Sequence, residues 1–266
     1  MSHARVPILM YHAVSPAPND ATRRLSVAPE AFAEQMALIG DLGLTPVRTA
    51  ELAEHWRSGK PLPERPVLIT FDDGYAGVHR HALPVLRAHG FTATVFVSTG
   101  WLKGPHDMGG GLDTMLDWEQ VRELASAGVE IGGHSHTHPQ LDQLPDDRLR
   151  SELILCNEIV SDQLGTAPVS FAYPYGYSSR RVREAVRETG YAQALAVNNG
   201  LARRRQGPYA LTRLTVRRTT GIEEFGRLVE GRAVARTFAR DRALTQGYAV
   251  VRRARQVRRK AIRTRV

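Results

Sequence analysis

A single cysteine, Cys156, in 266 residues leaves this chain without an internal disulfide or a cysteine-based zinc site. Any metal must therefore be held by histidines and carboxylates. No uninterrupted apolar run approaches the roughly 20 residues that a membrane-spanning helix needs. The opening Met1 to Pro7 also lacks the apolar stretch and small-residue cleavage site of a secretory leader, so a cytoplasmic location is predicted. Two further absences matter below: no histidine follows His138, and no tryptophan follows Trp118. What is present is ample material for a core, since 42% of the residues are apolar, which excludes disorder for the bulk of the chain.

The net charge of +9 is unevenly spread. Residues 227 to 266 hold 13 Lys and Arg against two acids, Glu230 and Asp241, whereas the rest of the chain is close to neutral. The basic character therefore belongs to a tail and does not argue for a nucleic-acid-binding fold. Two units are predicted: a catalytic domain over residues 1–230 and an Arg-rich tail over 231–266. In the tail Leu244, Tyr248, Val251 and Ala254 recur at helical spacing amid arginines, as in a basic amphipathic helix lying on an anionic membrane surface. A solvated tail, or one drawn to nucleic acid without specificity, reads equally simply.

Within residues 1–230, short apolar runs alternate with amphipathic stretches. Strands are predicted over Val6–Tyr11, Pro66–Phe71, Phe91–Val97, Val129–Ile131, Val169–Tyr173, Tyr191–Val197 and Tyr209–Val216. Helices are predicted over Pro29–Leu42, Val78–His89, Trp118–Ala127 with Asp117 as its N-cap, Asp146–Leu164, Ser179–Thr189 and Ile222–Glu230. Such alternation implies an α/β fold with a parallel sheet, either a barrel or an open doubly wound sheet. In both, polar residues at the C-terminal ends of strands are the ones to suspect of chemistry.

Three strand ends carry such residues. Thr70-Phe71-Asp72-Asp73-Gly74 places two adjacent carboxylates at a terminus, where they need a positive partner if buried; as a plain reading, Asp-Asp-Gly is good turn chemistry. Gly133-His134-Ser135-His136-Thr137-His138 follows the next short strand. On one helical turn His134 and His138 would face the same side, a common way to present two zinc ligands, with His136 turned away. Tyr173-Pro174-Tyr175-Gly176 fixes an unusual loop path that could aim a backbone N–H into a site.

These three motifs, in this order and at these separations, resemble the polysaccharide deacetylase family, also called the NodB-homology family or carbohydrate esterase family four. The opening Ile8-Leu9-Met10-Tyr11-His12 resembles the branch that includes bacterial poly-N-acetylglucosamine deacetylases. The resemblance implies a distorted, incomplete (β/α) barrel. It also implies that Asp72 is the general base, that Asp73, His134 and His138 are metal ligands, and that Tyr175 supplies a backbone N–H to the oxyanion. The implied cofactor is a divalent metal, Zn2+ first, with Co2+ or Ni2+ admitted by the same donors.

The chain also departs from that family. The position that usually carries an arginine partner for the base is Ala172, and the later motif with a general-acid histidine is missing, because no histidine follows His138. His12, at the end of the first strand, is the best-placed substitute acid, with a hydrogen-bonded rim histidine as the plain alternative. Arg213, on a late strand, could replace the lost arginine beside Asp72. The predicted activity is metal-dependent removal of N-acetyl groups from an amino sugar, whether oligosaccharide, polysaccharide or lipid-linked precursor. A hydrolase of small amides or imides on the same metal site, and a non-catalytic basic binding module, are the rival readings.

Overall fold

The computed structural model describes residues 5–245, 247, 248 and 252. Strands β1 (Ile8–Tyr11), β2 (Thr45–Pro46), β3 (Pro66–Phe71), β4 (Thr94–Val97), β5 (Glu130–Gly133), β6 (Ser170–Ala172), β7 (Gln193–Leu195) and β8 (Leu214–Thr215) form one sheet. Its order is β7-β6-β5-β4-β3-β1-β8, with β2 on a side branch against β3, and every pairing is parallel. The two ends of this path approach each other through a parallel bridge between Leu195 and Leu211. The sheet therefore curls into an incomplete (β/α) barrel, the one of the two architectures left open by the alternation of elements that the family resemblance implies.

Helices α1 (Pro29–Asp41), α2 (Thr49–Ser58), α3 (Leu83–Ala88), α4 (Trp118–Ser126), α5 (Asp146–Leu164), α6 (Arg180–Glu188), α7 (Ile222–Val229) and α8 (Val234–Thr237) connect the strands. Asp117 caps α4 as its sequence suggests: its carboxylate accepts from Gln120 N at 2.8 Å, and the Gln120 side chain returns the contact to Asp117 N–H. Two differences from the sequence reading have local causes. The stretch Val78–Ala82 opens as a wider π-helical turn before α3, beside Gly77, whose Cα passes so close to the Val14 carbonyl that no side chain would fit. The unpredicted α2 buries only Thr49, Leu52 and Trp56 on an otherwise polar helix, too thin a stripe to stand out.

Side-chain parity along the strands decides what faces the interior. Leu9, Tyr11, Ile69, Phe71, Val95 and Val97 pack outward under the helices, whereas Ile8, Leu68 and Phe96 pack inward with Ala172 and Leu195. The inward phase continues through His12 on β1, Asp72 on β3 and His134 on β5, the first residues past three strand ends. Gly132 keeps that interior open to its neighbours, because a Cβ there would lie 2.6 Å from the Phe96 ring.

Candidate active site

Adjacent residues of a strand point to opposite faces, so a regular strand could not bring both carboxylates of the Asp72-Asp73 doublet to one place. The chain solves this by leaving the strand: Asp73 has a left-handed backbone with φ 76°, followed by Gly74 at 93°. Ser135 (φ 67°), His138 (57°) and Tyr175 (59°) are left-handed too. Four of the six non-glycine residues with positive φ among the described residues therefore sit in the three motifs, and such strain concentrates at functional sites. The His134–His138 segment is accordingly a loop and not the helical turn expected from the spacing.

Despite that, the loop brings the two imidazoles together. Asp73 Oδ1 lies 3.3 Å from His134 Nε2 and 3.3 Å from His138 Nε2. His134 Nδ1 sits 2.7 Å from the Ala172 carbonyl, to which it donates, so in the neutral ring Nε2 presents a lone pair to the carboxylate. Asp73 Oδ1 and His138 Nδ1 are buried without a hydrogen-bond partner. Acceptors facing one another in a buried site call for a cation between them. The donor atoms of the three residues all fall within 4.8 Å of one another, and metal bonds of about 2.0–2.1 Å in a tetrahedron place neighbouring donors roughly 3.3 Å apart. Two imidazoles and a carboxylate thus fit a divalent transition metal. Burial opposes a charge on His134, but the Asp72 and Asp73 carboxylates outweigh it and raise its pKa, a field that favours a bound cation equally.

Asp72 stands beside this trio, its Oδ2 4.0 Å from His134 Nε2. Arg213, fully buried, grips it in a two-pronged pair: Nη1 to Oδ1 at 2.6 Å and Nη2 to Oδ2 at 2.7 Å. Arg213 Nε donates to the Ala196 carbonyl at 3.3 Å, which fixes the fork. Burial raises the Asp72 pKa, yet the Arg213 and His134 charges more than cancel this and leave it below the ordinary value. His12 is partly buried, lines the same cavity and leaves Nδ1 sealed without a partner. Burial, helped by Arg213 and His134, lowers its pKa against the pull of the two aspartates. The His138 ring is flanked by Tyr175, with centroids 4.9 Å apart, and by Trp101, at 4.5 Å. Gly176 lets this loop hug β7: a Cβ there would lie 2.4 Å from Val197.

Sequence reasoning missed several contributors. Glu152 of α5, only 5% exposed, accepts from His136 N at 2.9 Å, Thr137 N at 2.7 Å and Thr137 Oγ1 at 2.5 Å, and so pins the loop between the two histidines. Its signal was a carboxylate placed on the apolar stripe of Leu149, Leu153 and Cys156. His136 itself turns away, its Nδ1 2.9 Å from Thr99 Oγ1. The beginning of the basic tail also belongs to the site. Phe238 is buried, Asp241 pairs with Arg217 at 2.8 Å, and residues 239–245 are helical. Leu244, Thr245 and Tyr248 line the cavity, which measures about 800 Å³. Of the proposed amphipathic helix, Val251 and Ala254 lie outside the described residues.

A deep polar cluster at the strand ends of a curled parallel sheet defines a hydrolase-type site, and comparison with known proteins gives the class. The profile of the polysaccharide deacetylase family matches residues 59–194, and the chain belongs to that family. It is 30% identical over 227 residues to YxkH of Bacillus subtilis strain 168, whose name assigns it to the same family; the match covers 85% of this chain and 77% of that protein. It is 27% identical over 242 residues to the poly-β-1,6-N-acetyl-D-glucosamine N-deacetylase of Escherichia coli K12, covering 78% of this chain but 36% of that longer protein. Among solved structures, the Streptococcus pyogenes deacetylase PplD in complex with acetate superposes with a TM-score of 0.76 at 25% identity, over 85% of this chain and 97% of that one. IcaB from Ammonifex degensii shares the fold, with a TM-score of 0.74 at 23% identity over 86% and 98% of the two chains. Among the described residues no helix is long and apolar enough to cross a membrane.

Proposed function

We propose that this chain is a divalent-metal-dependent hydrolase that removes the N-acetyl group from an amino-sugar residue by attack of water on the amide. The observation that carries this reading is the convergence of His134 Nε2 and His138 Nε2 on Asp73 Oδ1, each 3.3 Å away, immediately beside an arginine-held carboxylate, Asp72. Asp73, His134 and His138 would hold the metal, which would supply Lewis acidity to the amide carbonyl and make water a usable nucleophile near neutral pH. Zn2+ suits this donor set, as do Co2+ and Ni2+.

Asp72 takes a proton from the attacking water, and the Arg213 fork keeps its carboxylate oriented for that task. The Tyr175 backbone N–H, on its left-handed turn, donates to the oxygen as negative charge develops there. His12 delivers a proton to the leaving nitrogen, since an amine anion is a prohibitive leaving group. Burial lowers the His12 pKa and favours the neutral ring, so the proton it delivers is the one that Asp72 took from water, which leaves both groups as they began. The named activity of the E. coli relative, on poly-β-1,6-N-acetyl-D-glucosamine, supports an acetylated amino sugar as the substrate over a small amide or imide.

The test is Asp72→Asn. The variant is expected to keep full metal content and lose on the order of 10²-fold or more in acetate release from N-acetylglucosamine oligomers. Loss of metal in Asp72→Asn together with retention in Asp73→Asn would reverse the two roles. Peripheral attachment to an anionic membrane rests on the charge of the tail; cosedimentation of the full chain and of one ending at Arg252 with phosphatidylglycerol vesicles tests it, equal binding ruling out the last residues as the anchor.

A further inference from the structure

Nine large apolar side chains are well exposed among the described residues, and five of them, Met108, Leu112, Tyr175, Leu244 and Tyr248, line the one cavity above Asp72 and His134. Exposed apolar groups are ordinarily scattered over a surface, and a contiguous set marks a binding groove. We infer that the substrate is an amphiphile: an N-acylated amino sugar whose far end carries an apolar aglycone lying along this flank. The inference rests on the deacetylase reading and names the substrate class for that site.

The direction follows from burial. Asp72, Asp73 and His134 are 2%, 5% and 1% exposed, whereas Met108, Leu112, Leu244 and Tyr248 are 68%, 49%, 53% and 60% exposed. The acyl group must reach the buried end to react, so the part of the substrate that meets the apolar flank is the end opposite the amide. A cavity of about 800 Å³ is near the top of the range that holds a drug-sized ligand, more than one sugar ring fills.

The flank is also built, each apolar side chain standing on a segment tied down behind it. Met108 Sδ rests 3.1 Å from His136 Nε2. The Leu112 carbonyl accepts from the Asn19 side chain, and the next carboxylate, Asp113, accepts from Thr22 Oγ1 at 3.0 Å. Leu244 and Tyr248 follow a helical segment held by buried Phe238 and by Arg242, which donates to the Asn199 carbonyl at 2.6 Å. The charges on this side, Arg217 and Asp241, are paired at 2.8 Å, so an apolar group laid here strips water from no lone charge. Arg252, whose guanidinium lies 3.4 Å over the ring of cavity-lining Tyr177, is likewise paired, with Asp142 at 2.9 Å.

Metal-loaded full-length protein, assayed for acetate release from the methyl and octyl β-glycosides of N-acetylglucosamine, tests the inference. Each fully buried methylene is worth about fourfold in affinity, so burial of two or more gives the octyl glycoside a KM at least roughly tenfold lower. In the Met108→Ser/Leu244→Ser variant the ratio of the two KM values falls towards one. Octyl β-glucoside, which has no amide, is expected to inhibit competitively where methyl β-glucoside does not. Hydrolysis of both glycosides with equal KM, or non-competitive inhibition by octyl glucoside, overturns this inference and leaves the deacetylase reading standing. Hydrolysis of neither overturns both.

Discussion

The strands of this barrel end in two polar clusters of opposite character. At their amino-terminal ends, Thr94 opens β4, Glu130 opens β5 and Ser170 opens β6, and Thr49 opens α2 beneath them. Glu130 Oε1 accepts from Thr49 Oγ1 at 2.8 Å and Ser170 Oγ at 2.5 Å, while Oε2 accepts from Ala50 N at 2.9 Å and Thr94 Oγ1 at 3.3 Å. Both oxygens of this carboxylate are satisfied by donors. At the other end of the barrel, past β1, β3, β5 and β6, Asp73 Oδ1, His138 Nδ1 and His12 Nδ1 have no partner, and Asp73, Ser135, His138 and Tyr175 carry left-handed backbones. Three residues of β5, Ile131 to Gly133, separate Glu130, which is complete, from His134, which faces an acceptor. Gln193 Oε1, beside Thr49 in the lower cluster, is unpartnered, but the carboxylate at the lower end has its acceptors filled by protein donors, whereas the one at the upper end is left for what binds there.

The largest effect that would sharpen this contrast is expected from His134→Ala. Removing one of three donors opens the metal site, so metal content measured on purified protein should fall together with activity, the latter by on the order of 10³-fold. Full metal occupancy in the variant would remove His134 from the site and break the comparison outright.

A smaller loss is expected from His12→Gln. The amide side chain preserves much of the size and polarity of the imidazole but cannot relay a proton, so turnover should drop about 10²-fold at unchanged metal content. Near-normal turnover would assign amine protonation to Asp72 or to water.

How far this site could be read from the amino-acid sequence depended on whether the residues announce themselves locally. The Asp72-Asp73 doublet and the His134/His138 pair are short motifs at strand ends, and the strands, set by apolar runs such as Pro66–Phe71, were legible with them. Arg213 is 141 residues from Asp72, and only the need of a buried carboxylate for a cation pointed to it. Glu152 was hidden because a carboxylate within an apolar helical stripe reads as an interruption until the loop it serves is placed above it. The packing of the tail's first residues was hidden for a related reason: Phe238 enters the core, Asp241 pairs with Arg217 and Arg242 reaches the Asn199 carbonyl, all contacts between residues far apart in the sequence. Loop backbone was illegible as well, since helical spacing and a left-handed loop both bring His134 and His138 together.

Glu152→Gln probes how rigidly the upper loop is held. The glutamine keeps one oxygen to accept from His136 N or Thr137 N but turns an amide group towards another donor, so the loop between the two histidines loosens without a buried charge being stranded. Metal affinity, measured by competition with a chelator, is expected to weaken about tenfold, the lower end of the range for groups that orient metal ligands. Unchanged affinity would make Glu152 a support of α5 alone.

Glu130→Ala should have the least effect on chemistry and is the closest test of the contrast. Three hydroxyls and the Ala50 N–H lose their acceptor at a barrel end that has no metal to replace it, which costs about 2–4 kcal/mol. In a domain of this size that corresponds to a fall of about 5–10 °C in Tm. Metal content and kcat at a temperature well below the transition are expected to stay within about twofold of the parent, because the strands transmit little strain from a lost hydrogen bond at their opposite end. Glu130→Gln, which retains one acceptor, should show a smaller fall in Tm in the same assay. If either variant loses metal while folded, the two clusters are one coupled unit running along β5, and the division between a finished lower end and an unfinished upper end no longer holds.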